Sequence, residues 1–177
     1  MNPSPQFIQQ IKNAFLREEF PAKALLIKEG ALAKKIFFID KGCVRTWFND
    51  EDGREITLQF LFEESFLSSL ETIISNAPSW YSIETLEPAI AYTLTIEEFK
   101  KIRNDHKEVQ EFYYGYIEKR LLHYQKLFVS RIRDSPEERY RALLSQHPEI
   151  IQRVPQHYIA SFLGITSVSL SRIRNRK

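Results

Sequence analysis

A run of short apolar and aromatic segments between Leu25 and Leu94 constrains the fold of this chain more than any other feature. Many of these segments alternate between apolar and polar residues, which is the period of a half-buried β-strand. They read IFFID, CVRTWF, EITLQFLF, YSIETL and AIAYTL. Asp52-Gly53 lies between two of them, and an Asp-Gly pair in that position is a strong signal for a β-hairpin. Several short strands with regularly spaced turns predict a β-sandwich or a jelly-roll barrel.

The composition is ordinary for a globular protein and excludes several other classes. Apolar residues make up 43% and charged residues 27% of the 177 residues, and no apolar run approaches the roughly 20 residues needed to span a bilayer. The N-terminal stretch lacks the basic start and apolar run of a signal peptide. Cys43 is the single cysteine, which excludes an internal disulfide and a cysteine cluster for zinc or iron–sulfur. We therefore expect a cytoplasmic protein with no membrane partner.

The charge is distributed unevenly along the chain. Residues 1–114 hold 13 lysines and arginines against 18 aspartates and glutamates, whereas residues 115–177 hold 12 against 5. A basic C-terminal third beside an acidic remainder indicates an anionic partner at one end. The charge alone is also consistent with a merely solvated basic face.

Two helical segments flank or interrupt the strand region. Residues 6–18 place Ile8, Ile11, Phe15 and Leu16 at a helical spacing, and residues 66–76 have the pattern of a short helix. Strand signals fade from Ile96 onward. The pattern therefore predicts strands first and helices afterwards.

Residues 107–132 form one long predicted helix with an apolar seam. The seam residues follow one another at intervals of 3, 4, 3 and 4, as in the a and d positions of a coiled coil, over about two heptads. They are Tyr114, Ile117, Leu121, Tyr124 and Phe128. The pattern alone leaves two interpretations open, packing on the protein's own barrel and self-association, because so short a run decides neither.

Four further elements are predicted in the last 44 residues. Ser135-Pro136 and Glu138 form a capping box that begins a helix ending near Gln146. Residues 149–154, EIIQRV, have the composition of a short strand. Residues 156–174 then form two short helices separated by Gly164, which suits the left-handed turn that ends a helix. Thr166 is the predicted cap of the second of these helices.

The segment 156–174 resembles the helix-turn-helix of the Crp/Fnr family of bacterial transcription regulators. Five residues carry the match, and they are Ala160, Gly164, Ile165, Leu170 and Ile173, while the ending LSRIR resembles the family's recognition helix. The stretch KKIFFIDKGCVRTWFNDEDGREITLQF resembles the family's barrel hairpins. The resemblance implies an α+β protein with an N-terminal jelly-roll barrel of the cyclic-nucleotide-binding type, a dimerisation helix and a winged helix-turn-helix domain. The implied domains are residues 1–106, 107–133 and 134–177.

The resemblance also implies a homodimer that binds double-stranded DNA, with RNA polymerase as a candidate partner. It favours dimerisation as the role of the seam in residues 107–132. The family contacts base edges at the positions that Ser167, Val168 and Arg172 occupy here, and Arg172 suits a bidentate contact with guanine. Ser169, Ser171 and His157 are the predicted phosphate contacts. Arg174, Arg176 and Lys177 are predicted to add unspecific electrostatic affinity, with a frayed basic tail as the alternative.

The predicted effector pocket departs from the pattern of family members that bind cyclic AMP. Those members carry a Gly-Glu pair on a short helix and an Arg soon after a Pro. Here Leu67-Ser68 stands by position for the pair, and Ser79 stands where the Arg would follow Pro78. Losing that cation leaves a buried phosphate unpaired, and Trp80 and Tyr81 add bulk. Cyclic AMP in the usual pose is therefore not expected.

The sequence of the predicted pocket does not identify the effector. A different small molecule would use Ser68, Ser69, Ser79, Trp80 and Tyr81 together with His123 or Tyr124. The alternative is that Trp80 and Tyr81 plug the pocket with core. An iron–sulfur cluster is excluded by the cysteine count, lone histidines are a weak basis for haem, and no cofactor is predicted.

The sequence was weighed against three candidate functions. The leading one is a dimeric, sequence-specific DNA-binding regulator in which an effector or partner shifts the population of conformations. The second is a ligand-binding or protein-interaction module with the same barrel that no longer binds DNA, in which Arg172 would be hidden. An enzyme is not expected, because the chain has only five glycines, no phosphate-cradling glycine loop and no HExxH motif.

Overall fold

The computed structural model describes residues 12–175 of the chain. The chain divides into two compact units, Met1–Glu98 and Phe99–Lys177. The first is built mainly from eight strands. They are β1 Leu16–Phe20, β2 Leu25–Ile27, β3 Lys35–Lys41, β4 Val44–Asn49, β5 Glu55–Leu61, β6 Phe66–Leu67, β7 Ser82–Thr85 and β8 Ala89–Thr95, with helix α1 Leu70–Ser75 between β6 and β7.

The strands form two four-stranded antiparallel sheets. The order is β1-β8-β3-β6 in one sheet and β2-β7-β4-β5 in the other. The core of this unit includes Ile39, Val44, Ile83 and Ala91, all of which are fully buried. The run Ile36–Ile39 is buried at every position, which explains why this part of β3 is apolar instead of alternating. The jelly-roll prediction is confirmed.

Two turns illustrate how the sequence fixes the sandwich. Asp52-Gly53 joins β4 to β5 as predicted, and the Asp50 carboxylate accepts hydrogen bonds from the backbone N–H groups of Asp52 and Arg54 at 3.0 and 2.8 Å. Gly42 lies where the chain leaves one sheet for the other, at φ +112°. A Cβ on Gly42 would lie 2.7 Å from the Cβ of Ala89. Only glycine fits this crossing without displacing β8.

Helix α2 Ile96–Asp105 follows β8, and the sequence predicts four helices and one short strand after it. The structure has α3 Lys107–Arg133, α4 Pro136–Gln146, α5 Pro148–Arg153, α6 Gln156–Leu163 and α7 Ser167–Asn175. The long helix and the Ser135 capping box are as predicted. The described residues 99–175 contain no strand, so no wing is formed within them.

Two assignments from the sequence are wrong in part. Leu16–Glu18 belong to β1, not to the helix predicted over residues 6–18, because they pair with β8 at the edge of the sheet. Residues 12–14 of that prediction are helical, and Ile8 and Ile11 lie outside the described residues. The segment predicted as a helix over residues 66–76 begins with β6, and its helix starts at Leu70, capped by Ser69.

The predicted strand EIIQRV is also wrong, because this segment forms α5. Pro148 stands in the first turn of α5, where its fixed φ favours a helix and its missing N–H costs nothing. Ile150 and Val154 are both buried and lie four residues apart, which is a helical rather than a strand spacing.

Among the described residues, no helix combines the length and the apolar character that a bilayer crossing requires.

Candidate nucleic-acid interface and sensor barrel

Helices α6 and α7 are joined by a tight turn whose geometry matches its sequence. Gly164 adopts φ +69°, and its N–H and that of Ile165 donate to the carbonyls of Ser161 and Ala160, both at 3.0 Å. These bonds satisfy carbonyls that a helix end otherwise leaves unpaired. Thr166 caps α7, since its hydroxyl accepts from the N–H of Ser169 at 3.1 Å. The turn and both caps follow the prediction.

Helix α7 is anchored on one side and exposed on the other. Leu170 is fully buried and Ile173 is half-buried. The exposed residues of α7 are Ser167, Val168, Ser171, Arg172, Arg174 and Asn175. Val168 is 62% exposed. The described part of α7 therefore presents hydroxyls, one apolar group and two arginines together.

The other residues predicted to contact DNA differ in how exposed they are. Ser169 is half-buried, and its hydroxyl lies 3.0 Å from the hydroxyl of Thr166. That engagement makes Ser169 part of the cap as well as a candidate phosphate contact. His157 is exposed on α6, with its ring centroid 3.9 Å from that of Tyr158. Arg176 and Lys177 lie outside the described residues.

Two arginines that the sequence analysis did not single out contact the end of α6. Arg131 of α3 donates to the carbonyl of Phe162, and its guanidinium lies 6.0 Å from the centre of the Phe162 ring. Arg139 of α4 donates to the carbonyl of Leu163 at 2.8 Å. No sequence signal predicts these contacts, because they join residues 31 and 24 positions apart.

Helix α3 exposes its predicted seam. No residue of this 27-residue helix is buried within the chain. Leu121 is 58% and Phe128 67% exposed, and Tyr114 and Tyr124 are exposed as well. Ile117 is half-buried. Four of the five predicted seam residues are therefore exposed at a coiled-coil spacing.

In the barrel, four of the predicted pocket residues meet at the corner between β6, α1 and β7. The hydroxyl of Tyr81 donates to the carbonyl of Ser68 at 3.1 Å, and the hydroxyl of Ser68 donates to the carbonyl of Lys35 at 2.9 Å. The buried Ser79 donates to the carbonyl of Tyr81 at 2.7 Å. Ser69 is fully buried, caps α1 and donates to Glu71 at 2.8 Å. These hydroxyls are therefore engaged in protein contacts.

Trp80 does not plug the barrel as one interpretation of the sequence had it. Its side chain is 75% exposed. The other two predicted pocket residues, His123 and Tyr124, lie on α3 in the second unit. Burial lowers the pKa of His123, and the positive charge of Arg120 lowers it further.

A buried cation in the barrel is already neutralised. The Arg45 side chain is 1% exposed, and it forms ion pairs with Glu84 at 2.5 Å and with Glu55. Its guanidinium also lies 5.0 Å from the centre of the Trp47 ring. Since two carboxylates face it, Arg45 does not replace the missing cation after Pro78.

A cavity in the described part of the first unit lies at a different place from the predicted pocket. It is a cleft of about 320 Å³ between β1, β2 and the start of β3. Its lining combines apolar residues such as Phe20, Ile27 and Phe37 with lysines. One of these, Lys35, forms an ion pair with Glu18 at 2.6 Å. None of the predicted pocket residues lines this cleft.

The comparison with known proteins supports the order of these elements. Residues 17–106 match the family model of the cyclic nucleotide-binding domain. The cAMP-activated global transcriptional regulator CRP of Salmonella typhimurium is 35% identical over 52 residues. That match covers 29% of this chain and 25% of the relative's length.

Solved structures agree over a longer part of the chain. The c-di-GMP responsive global regulator CLP of Xanthomonas campestris superposes with a TM-score of 0.77 at 17% identity, covering 94% of this chain and 87% of CLP. A protein of the crp/fnr family from Eubacterium rectale superposes with a TM-score of 0.75 at 18% identity, covering 97% and 82%. At such identities the superposition establishes the fold. The chain therefore belongs to the cyclic nucleotide-binding domain family, and it shares the fold of these regulators, a β-barrel followed by helices.

Proposed function

We propose that this protein is a dimeric transcription regulator that binds specific DNA sequences through α7. The observation that carries the proposal is the exposed side of α7, where Arg172 and Val168 face outward while Leu170 anchors the helix. Short hydroxyls suit phosphate oxygens, and arginines suit guanine edges. The alternative is a module that no longer binds DNA, in which Arg172 would be hidden against the barrel.

Dimerisation through α3 follows from the same physical reasoning. A helix with large exposed apolar residues and none buried within its own chain gains little stability alone. A second copy of α3 would cover Leu121 and Phe128 by matching the same seam about a two-fold axis. Two recognition helices would then address successive major grooves about 34 Å apart.

The proposed roles on DNA differ between residues. Arg172 contacts guanine, with Ser167 and Val168 beside it at base edges. Ser171, Ser169 and His157 contact phosphates, which fixes the register of the protein on the duplex. Arg174, with Arg176 and Lys177, adds affinity that does not depend on sequence.

We propose that any effector of the barrel is a small molecule other than cyclic AMP in the usual pose. The hydroxyls of Ser68, Ser69 and Ser79 are engaged within the protein, and Arg45 is paired with two carboxylates. A cyclic phosphate at this corner would therefore lack a cation, at a substantial desolvation cost.

The proposal predicts salt-dependent binding to duplex DNA of unrelated sequence. We expect affinity, measured by fluorescence anisotropy of a labelled duplex, to fall at least about tenfold between about 50 and 200 mM salt, because phosphate contacts release counterions. Arg174→Glu should weaken this binding about tenfold or more at low salt.

Lys107→Glu is the matched control, since it makes the same charge change at an exposed residue at the start of α3. It should leave the affinity within about twofold of the wild type. Binding that is absent at low salt, or that responds equally to both variants, would favour the module that does not bind DNA.

A further inference from the structure

The connection between α3 and α4 consists of two residues. Asp134 and Ser135 both have extended backbone angles, at φ −95°, ψ 141° and φ −66°, ψ 158°. Helix α3 ends at Arg133 on one side, and the capping box starts α4 at Pro136 on the other. Two helices separated by so short an extended segment can change their mutual angle by rotation at these two residues.

Residues 134–135 are called the hinge below. Arg131 precedes the hinge in the sequence and Arg139 follows it, and both contact α6. Arg139, after the hinge, donates to the carbonyl of Asp134 at 2.5 Å and to that of Leu163 at 2.8 Å. Arg131, before the hinge, donates to the carbonyl of Phe162. If the helices after Ser135 rotated as a body, the Arg139–Leu163 bond would move with them. The Arg131–Phe162 bond would break.

The end of α6 is a suitable receptor for these cations. The last carbonyls of a helix lack intrahelical partners and carry the negative end of the helix dipole. A hydrogen bond from a charged donor is stronger than one from a neutral donor. Gly164 also gives the guanidinium its space, because a Cβ there would lie 2.9 Å from Nη1 of Arg131.

The contact between Arg131 and the carbonyl of Phe162 is also able to break. Its side chain remains partly exposed, so breaking its contact with Phe162 transfers the guanidinium to water without leaving a deeply buried charge. Burial and the nearby Arg139 both lower the pKa of Arg131, which agrees with two cations lying close together at one helix end. The contact is therefore a latch of modest strength.

We propose that Arg131 is a positioning residue that latches the helix-turn-helix to the dimerisation helix and thereby sets which spacing of DNA half-sites the protein accepts. This inference builds on the proposed function, because the spacing is that between the recognition helices of a dimer. With the latch closed, α7 keeps a fixed angle to α3. With it open, the hinge at residues 134–135 allows several angles.

The first test varies the spacing between half-sites. Duplexes carrying the protein's selected half-sites are lengthened or shortened by one or two base pairs, and binding of the full chain is measured by anisotropy. Arg131→Met keeps the aliphatic stem but removes the donor. We expect it to reduce the preference for the best spacing about tenfold, the scale of one charge-assisted hydrogen bond, while binding to a single half-site stays within about twofold.

Arg133→Met is the matched control for the lost charge. Arg133 lies two residues along α3 and pairs with Asp134, at 2.7 Å, rather than with α6. It should keep the wild-type spacing preference. An Arg131→Met protein that also keeps this preference would overturn the latch.

A second test needs no DNA and so separates this inference from the proposed function. Spin labels are attached at Lys126→Cys on α3 and Ser145→Cys on α4, both exposed positions, while the buried Cys43 stays unlabelled. Labelled chains are mixed with excess unlabelled chain, and the distance is measured by electron paramagnetic resonance. We expect one narrow distance in the wild type and with Arg133→Met, and a broader or split distribution with Arg131→Met. An unchanged narrow distribution with Arg131→Met would contradict the latch even if DNA binding is found.

Discussion

Leu121→Glu is expected to separate the proposed dimer into monomers and to weaken binding to a palindromic DNA site about a hundredfold or more. Leu121 is exposed at the middle of the seam on α3. In a symmetric pair of helices the substitution places two carboxylates against each other in an apolar interface. Separating the chains removes the gain from linking two recognition helices, which is the larger part of the effect.

Sedimentation equilibrium measures the first consequence, as a fall from twice the chain mass of 21.0 kDa to that mass. Lys126→Glu is the control, since it introduces the same residue at an exposed position of α3 outside the seam. It should remain dimeric and keep its DNA affinity. A dimer that survives Leu121→Glu would place the interface elsewhere.

Arg172→Ala is expected to remove most of the preference for the selected DNA sequence while leaving unspecific binding in place. A bidentate contact between arginine and guanine contributes about 1–3 kcal/mol of discrimination, and a dimer makes the contact once in each half-site. The preference for the selected site over a scrambled duplex should therefore fall by about tenfold to more than a hundredfold, measured by competition at fixed salt.

Arg174→Ala separates sequence reading from charge. It removes the same charge two residues later on α7, and we expect it to weaken binding to the selected and scrambled duplexes by similar factors. If Arg172→Ala and Arg174→Ala behave alike, Arg172 contacts phosphate and not a base. If Arg172→Ala keeps the full preference, α7 is not the element that reads the sequence.

The strands and turns of the barrel could be predicted because their signals are local. Asp52-Gly53 fixes a hairpin through its own backbone preferences, and the segments on either side alternate as a half-buried sheet requires. The strand Leu16–Phe20 was mistaken for part of a helix because only its pairing with β8 makes it a strand. Tertiary pairing of this kind overrides a local helical spacing.

The helix-turn-helix could be predicted more fully than the barrel pocket, for the same reason. The turn of the helix-turn-helix depends on Gly164 and Thr166, each of which acts on neighbours a few residues away, and it was predicted correctly. The exposure of Trp80 could not be predicted, because the sequence left open whether its side chain lines the pocket or fills it with core. The contacts of Arg131 and Arg45 join distant residues, and no periodic pattern records them.

Selection of bound sequences from a random duplex library, with the purified full chain, tests the central claim most directly. If the proposed dimer binds two successive major grooves, we expect enrichment of a palindromic site whose half-sites lie about 10 base pairs apart, centre to centre. The selection is run with and without a small-molecule extract of source cells. A site recovered only with extract would identify the barrel as a working sensor, and a site recovered without it would indicate a regulator that is active as made. No enriched site under either condition would contradict sequence-specific DNA binding and with it the proposed function.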